Sequence, residues 1–249
     1  MDLRIENGVL LGEDSDGTWE SDVDDKERFE ALIIPDGVTE IKAEAFSGNP
    51  WIVKAVIPGT VKVIGERAFS CCSNLLDVEI SEGVERIEAE AFWYCSRCGQ
   101  ITFPKRSLRI IGDRAFKDTR ISELDCLNLE YIGEGAFQYS DIERVCIPGT
   151  VKIISSDAFK NCAYLETVFL QEGVEEIGLG AFANCERLAE VVFPDSLRKI
   201  GKDAFNCTVG YTDDGYYPEF LLPSHEVVIE DEWFRYVADT FQLYIQLCS

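Results

Sequence analysis

The amino-acid sequence predicts a solenoid, one elongated domain of stacked coils, and three observations predict it. An Ala-Phe pair recurs with its phenylalanine at Phe46, Phe69, Phe92, Phe116, Phe137, Phe159, Phe182 and Phe205, in steps of 23, 23, 24, 21, 22, 23 and 23 residues. Apolar residues keep a fixed spacing before each pair, clearest in Leu165 to Phe182, LETVFLQEGVEEIGLGAF. Proline tends to follow the last inward strand residue, at positions 35, 58, 104, 148 and 194. A period within roughly 20–29 residues on this apolar frame is the mark of a leucine-rich-repeat solenoid. The expected fold class is therefore a β-rich leucine-rich-repeat solenoid of about ten coils, with one curved parallel sheet and short helical turns opposite.

Each part of the coil has a physical reason. With the last inward strand residue numbered zero, that position falls on Ile34, Ile57, Ile80, Phe103, Cys126, Ile147, Leu170 and Phe193. Apolar residues at −2 and 0 give the period-two pattern of a short strand, and the proline after it ends the strand by withholding an N–H. Val or Leu, then Ile three on and Ala four on, as in Val38, Ile41 and Ala45, fit one face of a helical or 3₁₀ turn. About six apolar groups per coil, each contributing roughly 1.5–3 kcal/mol when buried, let the stack fold although no coil could fold alone.

The chain ends are read separately. Residues 1–28 form an N-terminal cap: Asn7-Gly8 is a hairpin turn between two short strands, closing the exposed end of the first coil, and an acidic loop follows. That loop half resembles a calcium loop, but Gly12 and Val23 occupy the places of the first and last ligands. Regular coils span 29–207. In 208–249 an insertion rich in tyrosine (Tyr211, Tyr216, Tyr217) precedes a degenerate coil around Leu222-Pro223 and an edge strand ending at Ile245.

Composition bounds the function. The chain has 249 residues, 46 acidic against 23 basic, and a net charge of −23, so nucleic acid and anionic membrane are repelled and a basic partner is favoured. No apolar run approaches the roughly 18 residues that cross a bilayer, so no membrane insertion is expected. Ten cysteines suggest disulfides, yet Cys72, Cys95, Cys162 and Cys185 all fall three residues after the phenylalanine, Cys98 at −5 and Cys126 at 0. They read as small buried hydrophobes and reduced thiols. With Met1 as the start, no secretory signal opens the chain and the expected compartment is the cytoplasm.

Enzyme motifs do not assemble, and no cofactor, metal or catalytic residue is expected. His225 is the single histidine, and Cys95-Ser96-Arg97-Cys98 has no second C-x-x-C. Ser196-Leu197-Arg198-Lys199 occupies the ordinary turn of its coil, and Gly178-Leu179-Gly180 lacks phosphate-loop context. Recognition has more support. The outward −1 positions run Ile33, Val56, Glu79, Thr102, Asp125, Cys146, Phe169, Val192, Leu221 and Tyr244. From Cys146 on they form an apolar ridge rimmed by Arg144, with Tyr211, Tyr216 and Tyr217 at its edge. The expected function is a non-catalytic protein-binding scaffold, Asp77, Glu79, Glu123 and Asp125 selecting a basic partner. The alternatives are a carbohydrate-binding module built on the tyrosine insertion and sheet carboxylates, or a structural, self-assembling element forming a homodimer through the ridge.

The frame of Ile-Pro, Val, Ile, Ala-Phe, Cys and Leu, with the opening Ile5-Glu6-Asn7-Gly8-Val9-Leu10, resembles the BspA-type leucine-rich repeats of bacterial and protist proteins over residues 3 to 247. The resemblance implies a right-handed solenoid, and a secreted or cell-surface role in adhesion or host interaction. It carries over no catalytic residue.

Overall fold

The computed structural model describes residues 3–13, 30–206, 219–221, 223 and 227–230. It opens with the expected hairpin, β1 (Leu3–Glu6) antiparallel to β2 (Val9–Glu13), turning through Asn7 (φ 52°) and Gly8 (φ 79°). Both central residues are left-handed, as the tight hairpin turn requires.

Each coil then contributes a first strand of two to six residues, on the long-strand side, and a second strand of two residues. These are β3 (Glu30–Ile33) and β4 (Glu40–Ile41), β5 (Ile52–Ile57) and β6 (Val63–Ile64), β7 (Asp77–Ile80) and β8 (Arg86–Ile87), and β9 (Gln100–Thr102) and β10 (Ile110–Ile111). They continue as β11 (Glu123–Leu124) and β12 (Tyr131–Ile132), β13 (Arg144–Ile147) and β14 (Ile153–Ile154), β15 (Thr167–Leu170) and β16 (Glu176–Ile177), β17 (Glu190–Val192) and β18 (Lys199–Ile200), and β19 (Glu219–Leu221) and β20 (Val228–Ile229). The tenth strand expected to end at Ile245 lies outside the described residues.

The strands pair in parallel, with the first hairpin strand the antiparallel exception. The long strands stack as β3-β5-β7-β9 and β11-β13-β15-β17-β19; the short ones as β1-β2-β4-β6-β8-β10-β12 and β14-β16-β18-β20. β2 joins β4 with Leu10 opposite Ile41, so the hairpin caps the short-strand ladder. One parallel sheet was expected, and the structure corrects this. The dipeptides ending in the frame isoleucines, from Ile41 to Ile200, are extended enough to bond to the coils on either side and build a second ladder.

Helical turns opposite the sheet are also corrected: no helix occurs among the described residues. Residues 42–49 show why. The N–H groups of Ala45, Ser47 and Asn49 bond back three residues, to the carbonyls of Lys42, Glu44 and Phe46. Those of Glu44, Phe46 and Gly48 leave the coil for the carbonyls of Glu66, Ala68 and Ser70 in the next one, at 2.8, 2.8 and 2.7 Å. A helix needs successive N–H groups directed back along their own chain. Alternating donors give linked β-turns instead, closed by left-handed residues at Glu44 (φ 61°) and Gly48 (φ 71°). The apolar spacing of three and four is satisfied equally well by this turn.

The core is a set of columns. All eight frame phenylalanines are fully buried, and their rings stack with centroids 5.1 to 5.5 Å apart. Phe103 and Phe193, at position 0 of their strands, meet Phe116 and Phe205 edge-on. Beside them run the isoleucine column and the Val38-Val61-Val84-Leu108 column, also buried. Burial at the expected spacing confirms the repeat frame.

Candidate functional site

The outward face of the long strands is where recognition was expected. β13, β15, β17 and β19 pair without a register shift, which brings Cys146, Phe169, Val192 and Leu221 opposite one another. Strand spacing makes this column about 14 Å long. Phe169 is 43 % exposed, Cys146 is exposed and Val192 half-buried. Gln171 donates from Nε2 to the Cys146 sulfur at 3.4 Å, so the ridge is partly covered by its own chain at that point. Arg144 is exposed at −3, flanked in register by Glu123 and Thr167, and makes no ion pair among the described residues. Tyr211, Tyr216, Tyr217 and Tyr244 lie outside the described residues.

The acidic half of this face is partly neutralised from within. Lys54 bonds both Asp77, at 3.0 Å, and Glu79, and its ammonium is held above the usual lysine range by those hydrogen bonds, Glu79 first. Lys105 is raised likewise by its bond to Asp125. Among the described residues Glu123 has no cation of this kind. It borders a shallow depression of about 380 Å³ with Asp77, Glu79, Gln100, Thr102 and Ser122, at the place where the long-strand ladder breaks between β9 and β11.

The cysteines sit where the repeat puts them. Cys72, Cys95, Cys98, Cys126, Cys162 and Cys185 are buried and free, Cys71 half-buried and Cys146 exposed; Cys207 and Cys248 lie outside the described residues. The ladder does more than pack. The thiols of Cys72, Cys95, Cys162 and Cys185 donate to the carbonyls of Phe46, Phe69, Phe137 and Phe159, each in the preceding coil, at 3.0 to 3.2 Å. Asn49, Thr119 and Ser140 fill the same column where cysteine is absent, and all three are buried. Burial pushes the thiols of Cys98, Cys126 and Cys162 up to about 12, which removes them as nucleophiles at neutral pH. Among the described residues, no group of three or more His, Cys, Asp or Glu side chains could hold a metal. His225 and the acidic loop lie outside them. No described helix is long and apolar enough to cross a membrane.

One feature went unread in the sequence. The residue before each Ala-Phe pair forms its own column, and in successive coils it is Glu44, Arg67, Glu90 and Arg114. Arg67 bonds Glu90 at 2.6 Å and Glu44 at 3.7 Å, and Arg114 reaches Glu90 at 3.5 Å and Glu134 at 3.8 Å. All four column residues are left-handed, φ 54° to 61°. The alternating charges were legible once that column was aligned. The ladder stops at Gly135, beside an open depression of about 310 Å³.

A family model for the BspA type leucine rich repeat region, in six copies, matches residues 24–140 and 130–212. The chain belongs to the BspA-type leucine-rich repeat family. The crystal structure of the leucine-rich repeat protein of T. pallidum superposes with a TM-score of 0.54 at 26% identity, covering 82% of this chain and 83% of that one. A leucine-rich repeat protein from Bacteroides ovatus gives 0.48 at 25% identity, covering 74% and 60%. The pneumococcal vaccine antigen PcpA gives 0.46 at 21%, covering 81% and 58%. Among curated proteins, none is similar in sequence. In this BspA-type repeat the inward positions are committed to stacking, which leaves the outward ones described above to meet a partner.

Proposed function

We propose that this chain is a non-catalytic protein-binding scaffold whose long-strand face holds a protein partner bearing basic groups. The observation that carries the reading is the register of Cys146, Phe169, Val192 and Leu221, an apolar column beside the acidic residues Asp77, Glu79, Glu123 and Asp125. Exposed apolar surface of this kind anchors a partner by burial, and the carboxylates steer and orient it by charge. Phe169 is the central anchor, with Arg144 at the rim. The family's implied role in adhesion or host interaction makes an extracellular protein the finer candidate for the partner.

Phe169→Asp places a charge in the middle of the column without touching the core. Proteins retained by the wild-type chain are expected to be lost by this variant, and retention is expected to weaken as ionic strength rises. If every retained protein stays bound while circular dichroism shows an intact fold, the reading fails. The same column supports a second reading, a homodimer through the ridge. Sedimentation velocity would then show a concentration-dependent dimer that Phe169→Asp dissolves.

A further inference from the structure

The depression beside Gly135 lies on the turn side of the solenoid, away from the long-strand face. Its lining is charge-balanced: Arg67, Arg114 and Lys117 against Glu90, Glu134 and Asp157. That balance favours neither an anion nor a cation. Its walls also hold the Trp93 indole and the Gln138 amide, and the amide makes no hydrogen bond among the described residues. Among the described residues Arg114 has only its two long ion pairs, so its guanidinium keeps donors to spare.

Two tyrosines adjoin lining residues of the depression. The ring of Tyr94 lies 6.1 Å from that of Trp93, and the ammonium of Lys117 sits 5.8 Å over the ring of Tyr139. Tyr94 and Tyr139 occupy the same turn position two coils apart, as the bonds Tyr94 N–H to Lys117 and Asp118 N–H to Gln138 show. Two strand spacings put them about 10 Å apart, the length of a disaccharide.

Both tyrosines violate a local rule. Their position is left-handed, φ 59° and 62°, and the other coils described at this position fill it with Gly48, Asp118, Asn161 and Asn184, residues that tolerate it, and with Cys71. A bulky side chain is disfavoured there. Burial does not compensate, because Tyr94 is 55 % and Tyr139 50 % exposed. A strained residue with an exposed ring, twice over and each against a lining residue of one depression, points to recognition.

We infer that this turn-side groove, Trp93 with Tyr94 and Tyr139, binds a neutral oligosaccharide. Sugar C–H faces stack on the aromatic rings, and hydroxyls bond the planar groups of Arg114, Gln138 and Glu134. The site is independent of the long-strand ridge.

Isothermal titration calorimetry of the full chain against hexasaccharides of β-linked glucose, β-linked N-acetylglucosamine and α-linked mannose, with a hexuronate as charged control, tests this. At least one neutral sugar is expected to bind, and Trp93→Ala to weaken it by about tenfold or more. The double variant Tyr94→Asn with Tyr139→Asn installs the residue that Asn161 and Asn184 already supply. It is expected to lose binding while its melting temperature rises, which separates recognition from folding. Tyr164→Ala, an exposed tyrosine elsewhere, and Phe169→Asp on the ridge are expected to leave binding unchanged. Binding of no neutral sugar, tighter binding of the hexuronate, or a fall in the double variant's melting temperature would overturn the assignment.

Discussion

The rings of Phe69 and Phe92 lie 5.1 Å apart and within 2° of parallel, one coil above the other. Each frame phenylalanine from Phe69 to Phe182 is thus packed on both faces by its own repeat. Neither ring can be lost without opening the column above and below.

Phe92→Ala should therefore cost about 3–5 kcal/mol, the usual range for emptying a phenylalanine site in a core. Urea titration followed by circular dichroism measures it. Phe92→Leu should cost clearly less, because a branched aliphatic chain refills most of the volume. Equal losses for the two would mean that the column is not close-packed.

The buried thiols predict a pH dependence with a definite sign. Cys98, Cys126 and Cys162 rise from 9.0 to about 12 on folding, chiefly by desolvation. The unfolded chain then releases protons above pH 9 that the folded chain keeps, so stability is complete below pH 9 and falls as pH climbs toward 12. The slope is on the order of 1 kcal/mol per pH unit for each thiol. Cys162→Ser borrows the residue already present at Ser140, and should make the decline shallower over that window alone. An identical decline in the variant would remove burial as the cause.

Glu90 ties two arginines on neighbouring coils, and its side chain is only 15 % exposed. Glu90→Gln keeps the shape and removes the charge. The variant's urea midpoint should fall below wild type at low ionic strength, and the gap should narrow at about 1 M salt, where the Debye length is roughly 3 Å. A gap indifferent to salt would show that the ladder is not held by charge.

Gly149 and Gly37 occupy comparable turns with opposite demands. A Cβ on Gly149 would sit 1.6 Å from the carbonyl oxygen of Glu172 in the next coil, whereas nothing lies within 4 Å of one on Gly37, whose φ is +94°. Gly149→Ala should cost about 3 kcal/mol or more through the enforced shift of the coil spacing. Gly37→Ala should cost about 1 kcal/mol, from backbone strain alone. Thermal unfolding of the two variants side by side reads the difference.

Much of this molecule is legible without coordinates because a repeat converts spacing into position. The residue 23 places after Phe69 lies directly over it, so the phenylalanine, isoleucine and cysteine columns, the register of Cys146, Phe169 and Val192 and the Asn7-Gly8 hairpin could all be placed by counting. What the counting missed is where the polar groups find their partners. The spacing of Val38, Ile41 and Ala45 suits a helical turn and a chain of β-turns alike. The choice fell to the N–H groups of Glu44 and Phe46, which bond to the coil beyond and so cannot serve a helix. The second ladder of short strands, the break between β9 and β11 and the two-armed ion pairing of Glu90 have the same origin. Burial of an apolar side chain depends on which face it occupies, and a periodic sequence states that. A hydrogen bond or ion pair depends on direction and distance to a group some 23 residues away, which exists only once the coils are stacked.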